Sequence, residues 1–155
     1  MIDLEKFEEN KIYNNFKSYT WYLINNLILN SCFPFSNLKI FILKLYGAKI
    51  GKNVIIKPYV KIKYPWNLKI GANCWIGEEV WIDNLAEVEI HKNCCISQGV
   101  YICTGNHNFK SKNFDLIKKK IIIEQSCWIG ARCIICPGII IKQNTFTKVG
   151  QIIKN

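Results

Sequence analysis

One histidine stands in a segment that could carry out acid–base chemistry. His107 closes the segment Cys103-Thr-Gly-Asn-His107, and the 155 residues contain only one other histidine. An imidazole titrates near neutral pH, so it can accept a proton and activate a hydroxyl nucleophile. From its own setting, His107 is either such a general base or an exposed loop histidine. The elements that position it decide between the two.

A six-residue repeat lies on both sides of this histidine. Fifth places of the hexads are mostly small or β-branched, and glycine fills several second places. A fixed period this short predicts a β-solenoid, in which each hexad makes one strand and one corner and three hexads close a coil. The first places are isoleucine at 50, 56, 62, 70, 76, 82, 90, 96, 102, 123, 129, 135 and 141.

Four of the eight cysteines fall at fifth places of hexads, at 74, 94, 127 and 133. We therefore expect them to be small core residues rather than zinc ligands or disulfide partners. The opening Met1-Ile-Asp-Leu-Glu-Lys6 lacks the basic start and apolar run of a secretory signal. Together these features favour a cytoplasmic protein with reduced thiols.

Irregular steps between the isoleucines locate the histidine on the solenoid. Two steps are two residues too long and a third is fifteen too long, and each follows the third hexad of a coil. All insertions are therefore expected at one corner of a triangular prism, where the loop 103–120 is the longest. Glu79 and Asp83, one coil below, either orient the imidazole and hold an acceptor hydroxyl or are solvated turn acids. His91, outward-facing beside Lys92, is expected to be a surface residue.

Residues 1–48 lie outside the repeat. Two apolar runs dotted with lysine, 16–29 and 38–46, predict short helices, the second ending at Gly47. Neither approaches the ~20 apolar residues of a membrane span. The helices either cap the end of the solenoid, which we favour, or contact a membrane surface through residues 16–46. The predicted domains are a helical cap, 1–48, and an all-β solenoid, 49–155.

The net charge of +10 suits a polyanionic partner. A phosphate-bearing cofactor, a nucleotide-sugar or an anionic membrane surface would fit, and so would a merely solvated lysine-rich surface. The chain carries no nucleic-acid-binding motif and no basic stripe interleaved with aromatic residues. We therefore expect no nucleic-acid partner.

Several segments carry a family resemblance. They are Leu45-Tyr-Gly-Ala-Lys-Ile-Gly-Lys-Asn53, Val60-Lys-Ile-Lys-Tyr-Pro-Trp66, Ile96-Ser-Gln98, Cys103-Thr-Gly-Asn-His107 and Cys127-Trp-Ile-Gly130. In these the chain resembles the left-handed β-helix, hexapeptide-repeat acyltransferases, and more narrowly the O-acetyltransferases of colanic-acid and related exopolysaccharide biosynthesis. The resemblance implies a left-handed parallel β-helix and a homotrimer, with acetyl-CoA bound in the groove between neighbouring prisms.

The resemblance also implies roles for individual residues. His107 would be the general base that deprotonates a sugar hydroxyl, with Asn106 and Trp128 joining the acceptor site. Trp128 alternatively packs between subunits. No metal is implied, because the metal-using γ-class carbonic anhydrases of this fold need three histidines. The residues implied to contact acetyl-CoA are Trp128, Ala131, Val149 and Lys154, while Lys118, Lys119 and Lys120 either meet its phosphates or are solvated.

The predicted function is acetyl-CoA-dependent O-acetylation of a sugar, nucleotide-sugar or lipid-linked glycan in surface polysaccharide biosynthesis. Relatives continue for further hexads, whereas here Thr147 breaks the isoleucine column and the chain is expected to stop in a partial coil at Asn155. This truncation predicts a weakened CoA groove. The alternatives are acetylation of another acceptor, such as serine, a galactoside, maltose or an amino-sugar, and a non-catalytic trimeric module.

Overall fold

A computed structural model describes residues 16–154, so the first fifteen residues of the predicted cap lie outside the described part. Two helices begin it: α1 (Phe16–Ile24), which continues into a π-helical turn (Asn25–Leu29), and α2 (Ser36–Leu45). Within residues 16–154 no helix is both long and apolar enough to cross a membrane.

The hexads form three parallel sheets, one on each side of a prism. Sheet A stacks β1 (Lys49–Ile50), β4 (Leu68–Ile70), β7 (Val88–Ile90), β12 (Ile121–Ile123) and β15 (Ile140–Ile141). Sheet B stacks β2 (Ile55–Ile56), β5 (Trp75–Ile76), β8 (Cys95–Ile96) and β13 (Trp128–Ile129). Sheet C stacks β3 (Lys61–Ile62), β6 (Trp81–Asp83), β9 (Tyr101–Cys103), β14 (Ile134–Ile135) and β16 (Ile152–Ile153). This is the predicted left-handed parallel β-helix, and the prediction is confirmed.

The isoleucine column is the core of the prism. Register pairs isoleucine with isoleucine from coil to coil, as in Ile62 with Ile82 and Ile82 with Ile102, and all thirteen are buried. The four fifth-place cysteines are buried beside them, with the Cys94 thiol 3.1 Å from the Glu124 carbonyl oxygen. Burial raises the pKa of the Cys127 thiol, which keeps it protonated. The predicted core role of these cysteines is confirmed.

The chain turns at each corner of the prism near the fourth place of the hexad. Non-glycine residues there adopt positive φ, as at Asn53 (54°) and Asn73 (57°), a conformation that asparagine tolerates better than most residues. The two side chains also hydrogen-bond to each other, with 3.1 Å between Asn53 Nδ2 and Asn73 Oδ1. Second-place glycines have a different cause: a Cβ on Gly71 would lie 2.5 Å from the backbone nitrogen of Lys92 in the next coil.

The fifth coil has three sides, so the expectation of a partial coil is wrong. After β15, Phe146 forms a bridge with Trp128 on the sheet B side, and β16 pairs with β14 on sheet C. Thr147 takes the place of the expected isoleucine, and its hydroxyl accepts a hydrogen bond from the Gly130 backbone N–H at 2.9 Å. A polar residue in the isoleucine column concealed this hexad in the sequence.

The helices lie beneath the first coil and bind its free strand edges. The Ile56 N–H donates to Ser36 Oγ (2.9 Å), and the Trp21 indole N–H donates to the Ile62 carbonyl (2.9 Å). Lys39 is fully buried and donates from Nζ to the Lys57 carbonyl at 2.9 Å. Since unpaired strand edges invite pairing with other chains, these bonds close one end of the β-helix.

Candidate active site

The histidine loop leaves the prism between sheet C and sheet A, after the third coil, and folds back as a β-hairpin. Its strands are β10 (Gly105–His107) and β11 (Leu116–Lys118), which pair antiparallel with His107 opposite Leu116. The two shorter insertions lie at the same corner, between β3 and β4 and between β6 and β7. The sequence predicted the corner but not the hairpin.

Thr104 fixes the root of the hairpin. It is fully buried; its backbone N–H and its hydroxyl both donate to the Asp83 carbonyl, at 3.1 and 3.0 Å. The same hydroxyl accepts from the Ala86 N–H at 2.9 Å. On the returning strand, the Lys119 N–H donates to the Thr104 carbonyl at 2.9 Å. One residue therefore ties both strands of the hairpin to the coil below.

The His107 imidazole is held in one orientation by Phe114. Nδ1 lies 2.8 Å from the Phe114 carbonyl oxygen, and the two rings stack with centroids 4.3 Å apart and planes 5° apart. Because a carbonyl oxygen only accepts, Nδ1 carries the hydrogen and the neutral ring has its lone pair on Nε2. This is the tautomer that a general base acting through Nε2 requires. The residue type of Phe114 does not indicate this role in the sequence, because its contribution comes largely from a backbone atom.

Of the two predicted acids, Asp83 lies near the hairpin and Glu79 does not. Asp83 ends β6, beside Cys103 and under the hairpin root; its Oδ1 lies 3.0 Å from Lys63 Nζ, and its Oδ2 accepts from the Tyr101 hydroxyl at 3.2 Å. Burial first, then the Cys103 thiol and the Asp83 charge, raise the pKa of Tyr101, so its hydroxyl remains a donor. Glu79 precedes the same strand and is exposed at the other corner, between sheets B and C.

The other predicted contact residues divide between the hairpin and a distant side of the prism. Asn106 lies on β10, and its Oδ1 accepts from the His107 N–H at 2.8 Å. Trp128 lies on sheet B, 55% exposed, and donates from Nε1 to Ser97 Oγ at 2.9 Å. Ala131 and Val149 follow on the corner between sheets B and C, in successive coils, and Lys154 comes directly after β16.

The lysines at the hairpin end have separate contacts. Lys120 Nζ lies 2.7 Å from a Glu87 carboxylate oxygen and 2.6 Å from one of Glu89. Hydrogen bonds from Lys120 lower the pKa of both carboxyls. Lys119 packs its aliphatic chain at the Gly138 turn, while Lys118 pairs with Gly105 in the hairpin. The ammonium of Lys120 therefore ties the end of the hairpin to β7.

Among residues 16–154, no three or more His, Cys, Asp or Glu side chains lie close enough together to hold a metal ion. His91 lies on the surface of the third coil, with Nε2 3.2 Å from Glu89 Oε1.

Known proteins share the repeat and the fold. The family described as hexapeptide repeat of succinyl-transferase matches residues 67–103 and 120–145, an alignment interrupted at the hairpin. The colanic acid biosynthesis acetyltransferase WcaF, as that Escherichia coli (strain K12) protein is named, is 43% identical over 105 residues, covering 68% of this chain and 58% of that protein. The chain thus spans little more than half the length of this relative.

Two solved structures share the fold. A hexapeptide-repeat acetyltransferase of Vibrio cholerae O1 biovar eltor, complexed with acetyl coenzyme A, superposes with a TM-score of 0.82 at 17% identity, covering 99% of this chain and 88% of that one. A galactoside acetyltransferase in complex with coenzyme A gives 0.79 at 23% identity, covering 93% and 74%. Because it has the hexapeptide repeats, the β-helix and these sequence relatives, the chain belongs to the left-handed β-helix, hexapeptide-repeat acyltransferase family.

Proposed function

We propose that the protein is an acetyl-CoA-dependent O-acetyltransferase that acts on a sugar hydroxyl, with His107 as the general base. The observation that carries this proposal is the hydrogen bond from His107 Nδ1 to the Phe114 carbonyl, which leaves the lone pair on Nε2. A base fixed in this way on a rooted hairpin suits proton abstraction from a positioned hydroxyl.

A single base can carry out the whole reaction, because the proton taken from the acceptor is returned to the leaving group. His107 Nε2 takes the proton of the acceptor hydroxyl as its oxygen attacks the thioester carbonyl of acetyl-CoA. The tetrahedral intermediate collapses with cleavage of the carbon–sulfur bond, and the leaving thiolate receives the proton from the imidazolium. The products are the O-acetyl sugar and free CoA, and the imidazole is neutral again.

We assign the acceptor to a nucleotide- or lipid-linked sugar of surface polysaccharide biosynthesis, on the cytoplasmic side where acetyl-CoA is made. Support comes from the name of the 43%-identical relative and from the net charge of +10, which suits a phosphate-bearing substrate. Asn106 on the hairpin, with Asp83 near its root, is proposed to contact the acceptor.

We further propose a homotrimer in which neighbouring prisms form the CoA groove. Within one chain, His107 lies at the corner between sheets C and A, whereas Ala131 and Val149 lie between sheets B and C and Trp128 on sheet B. Association around a threefold axis would bring the corner between sheets C and A of one subunit, which carries His107, to the corner between sheets B and C of its neighbour. Trp128, Ala131, Val149 and Lys154 of that neighbour are then the proposed CoA contacts, and Glu79 would complete the acceptor site.

The test measures free thiol released from acetyl-CoA in the presence of candidate acceptors, with mass spectrometry to identify the acceptor that gains an acetyl group. Nucleotide-sugars, lipid-linked glycans, simple galactosides and maltose should all be screened. We expect His107→Gln to lower kcat by roughly 10²–10⁴-fold. The same substitution at the surface histidine, His91→Gln, should leave the rate unchanged. An active His107→Gln variant would disprove the assignment of the base, and failure to bind acetyl-CoA would favour a non-catalytic module.

A further inference from the structure

The helical cap has a second apolar face, directed away from the β-helix. Its inner face is buried against the first coil through Trp21, Leu29 and Leu43. Its outer face carries large apolar side chains at helical spacing: Phe16 (86% exposed), Tyr19 (61%), Leu23 (60%) and Leu27 (73%) along α1 and its π-helical turn, and Leu38 (42%), Phe41 (57%) and Leu45 (67%) along α2. We call these seven residues the cap face.

Both helices present the cap face in the same direction. Trp21 of α1 and Lys39 of α2 each donate to a backbone carbonyl on the free edge of the first coil, at Ile62 and Lys57. The inner faces of the two helices therefore meet the same layer, and the outer faces point together away from the end of the prism. Helices that are apolar on both sides normally have both sides covered, and a contiguous exposed apolar patch usually marks an interaction site.

Charge indicates what covers the cap face. Residues 16–77 contain nine lysines and neither aspartate nor glutamate. Four of these lysines belong to the first coil, next to the cap: Lys49 on sheet A, Lys52 and Lys57 at the following corners, and Lys61 on sheet C. The ammonium groups of Lys57 and Lys61 lie over the rings of Trp75 and Trp81 in the second coil, whereas Lys49 and Lys52 are exposed. In the described part of the chain, acidic residues begin at Glu78 and belong to the later coils and the hairpin. The described part of the cap thus presents an apolar face beside a lysine-rich first coil.

We propose that the cap face binds the surface of an anionic lipid bilayer, with its apolar side chains in the interfacial layer and the exposed Lys44, Lys49 and Lys52 at the headgroups. Interfacial helices combine an apolar face with basic residues in this way, and lysine chains can extend to the headgroups beside buried apolar groups. A second copy of the chain fits less well, because face-to-face contact would bring together residues 16–77 of two copies, each with nine lysines and neither aspartate nor glutamate.

With the cap face on the bilayer, the β-helix extends outward from the membrane surface. The hairpin leaves the third coil, two strand spacings above the first, so its root stands about 10 Å above the first coil. The proposed membrane contact involves only the cap and the first coil, and it is independent of the proposed enzymatic activity.

The experiment is co-sedimentation of the full chain with vesicles, without acetyl donor or acceptor. Vesicles of equal parts phosphatidylglycerol and phosphatidylcholine should bind the protein, and vesicles of phosphatidylcholine alone should bind it far less. Raising the salt from 0.1 to 1 M, which shortens the Debye length from about 10 to about 3 Å, should weaken the binding. The double variant Leu27→Ser/Phe41→Ser should bind about tenfold more weakly, because two interfacial apolar groups are lost.

The control is Phe146→Ser, which changes a 72%-exposed aromatic residue on the fifth coil, far along the chain from the cap, and should bind as the unmodified chain does. Circular dichroism establishes that all variants are folded. The proposal is overturned if the unmodified chain does not sediment with the anionic vesicles, if salt has no effect, or if the double variant binds equally well. It is also overturned if the double substitution changes the oligomeric mass in light scattering while vesicle binding is unaltered, which would make the cap face a contact between copies.

Discussion

The hydrogen bond between His107 Nδ1 and the Phe114 carbonyl determines which imidazole nitrogen can act as the base. The orientation depends in turn on the hairpin register, because His107 and Phe114 lie seven residues apart at the two sides of the hairpin end. That register begins at Thr104, whose hydroxyl both donates to Asp83 and accepts from Ala86. A buried hydroxyl without contact to any reacting atom is therefore expected to affect the rate.

Thr104→Val tests this positioning role. Valine keeps the shape but leaves the Ala86 N–H without its acceptor, so we expect a loss of about 1–3 kcal/mol in the free energy of unfolding. The looser hairpin should lower kcat by roughly tenfold through misplacement of His107, with KM for acetyl-CoA nearly unchanged. Urea unfolding and steady-state kinetics measure the two effects. Thr20→Val, the same change on the cap surface, should alter neither, and an unchanged kcat in a destabilised Thr104→Val protein would leave Thr104 purely structural.

At the scale of the elements, successive coils come very close at the second places of hexads that glycine fills. A Cβ on Gly71 would lie 2.5 Å from a backbone nitrogen of the next coil, which cannot move without breaking the stack. Gly150 instead has φ of +71°, and a Cβ added there would meet nothing within 4 Å. The two glycines thus serve different purposes, close approach and backbone conformation.

Gly71→Ala should therefore cost roughly 2–4 kcal/mol in the free energy of unfolding, because the overlap is with backbone. Gly150→Ala should cost about 1–2 kcal/mol, the penalty of placing an L-residue in the left-handed region. Chemical denaturation of both variants gives the comparison. Equal losses of unfolding free energy at the two positions would mean that close approach of neighbouring coils is not the reason for glycine at the second place.

The sequence specified the coils but not every element. Inward isoleucines and insertions at one corner are properties of spacing, so the coil boundaries and the position of the His107 loop could be counted. The hairpin could not be predicted in this way, because Gly105–His107 and Leu116–Lys118 show no common alternation of apolar and polar residues and their pairing spans an irregular tip. Glu79 lies one coil below the hairpin, as predicted, but at the corner between sheets B and C, so any contact with the acceptor would need a neighbouring subunit, which the hexads of one chain do not show.

At the scale of the whole molecule, the proposed site depends on two corners that one chain holds apart. The hairpin with His107 follows sheet C, whereas Ala131 lies where sheet B turns into sheet C. If the site forms between neighbours in a trimer, a subunit damaged at one corner should be complemented by a subunit damaged at the other. A site contained in one chain could not be restored in this way.

The decisive measurement mixes His107→Gln subunits with Ala131→Trp subunits, in which a large side chain obstructs the proposed CoA groove. Each variant alone should be inactive and trimeric by light scattering. After co-expression in equal amounts, each interface takes its hairpin from one subunit and its groove from the next, so about a quarter of the interfaces combine two intact halves. We expect about that fraction of unmodified activity, measured as thiol release. No recovery in mixed trimers would place the complete site within a single chain, and full activity of Ala131→Trp alone would remove that corner from the CoA groove.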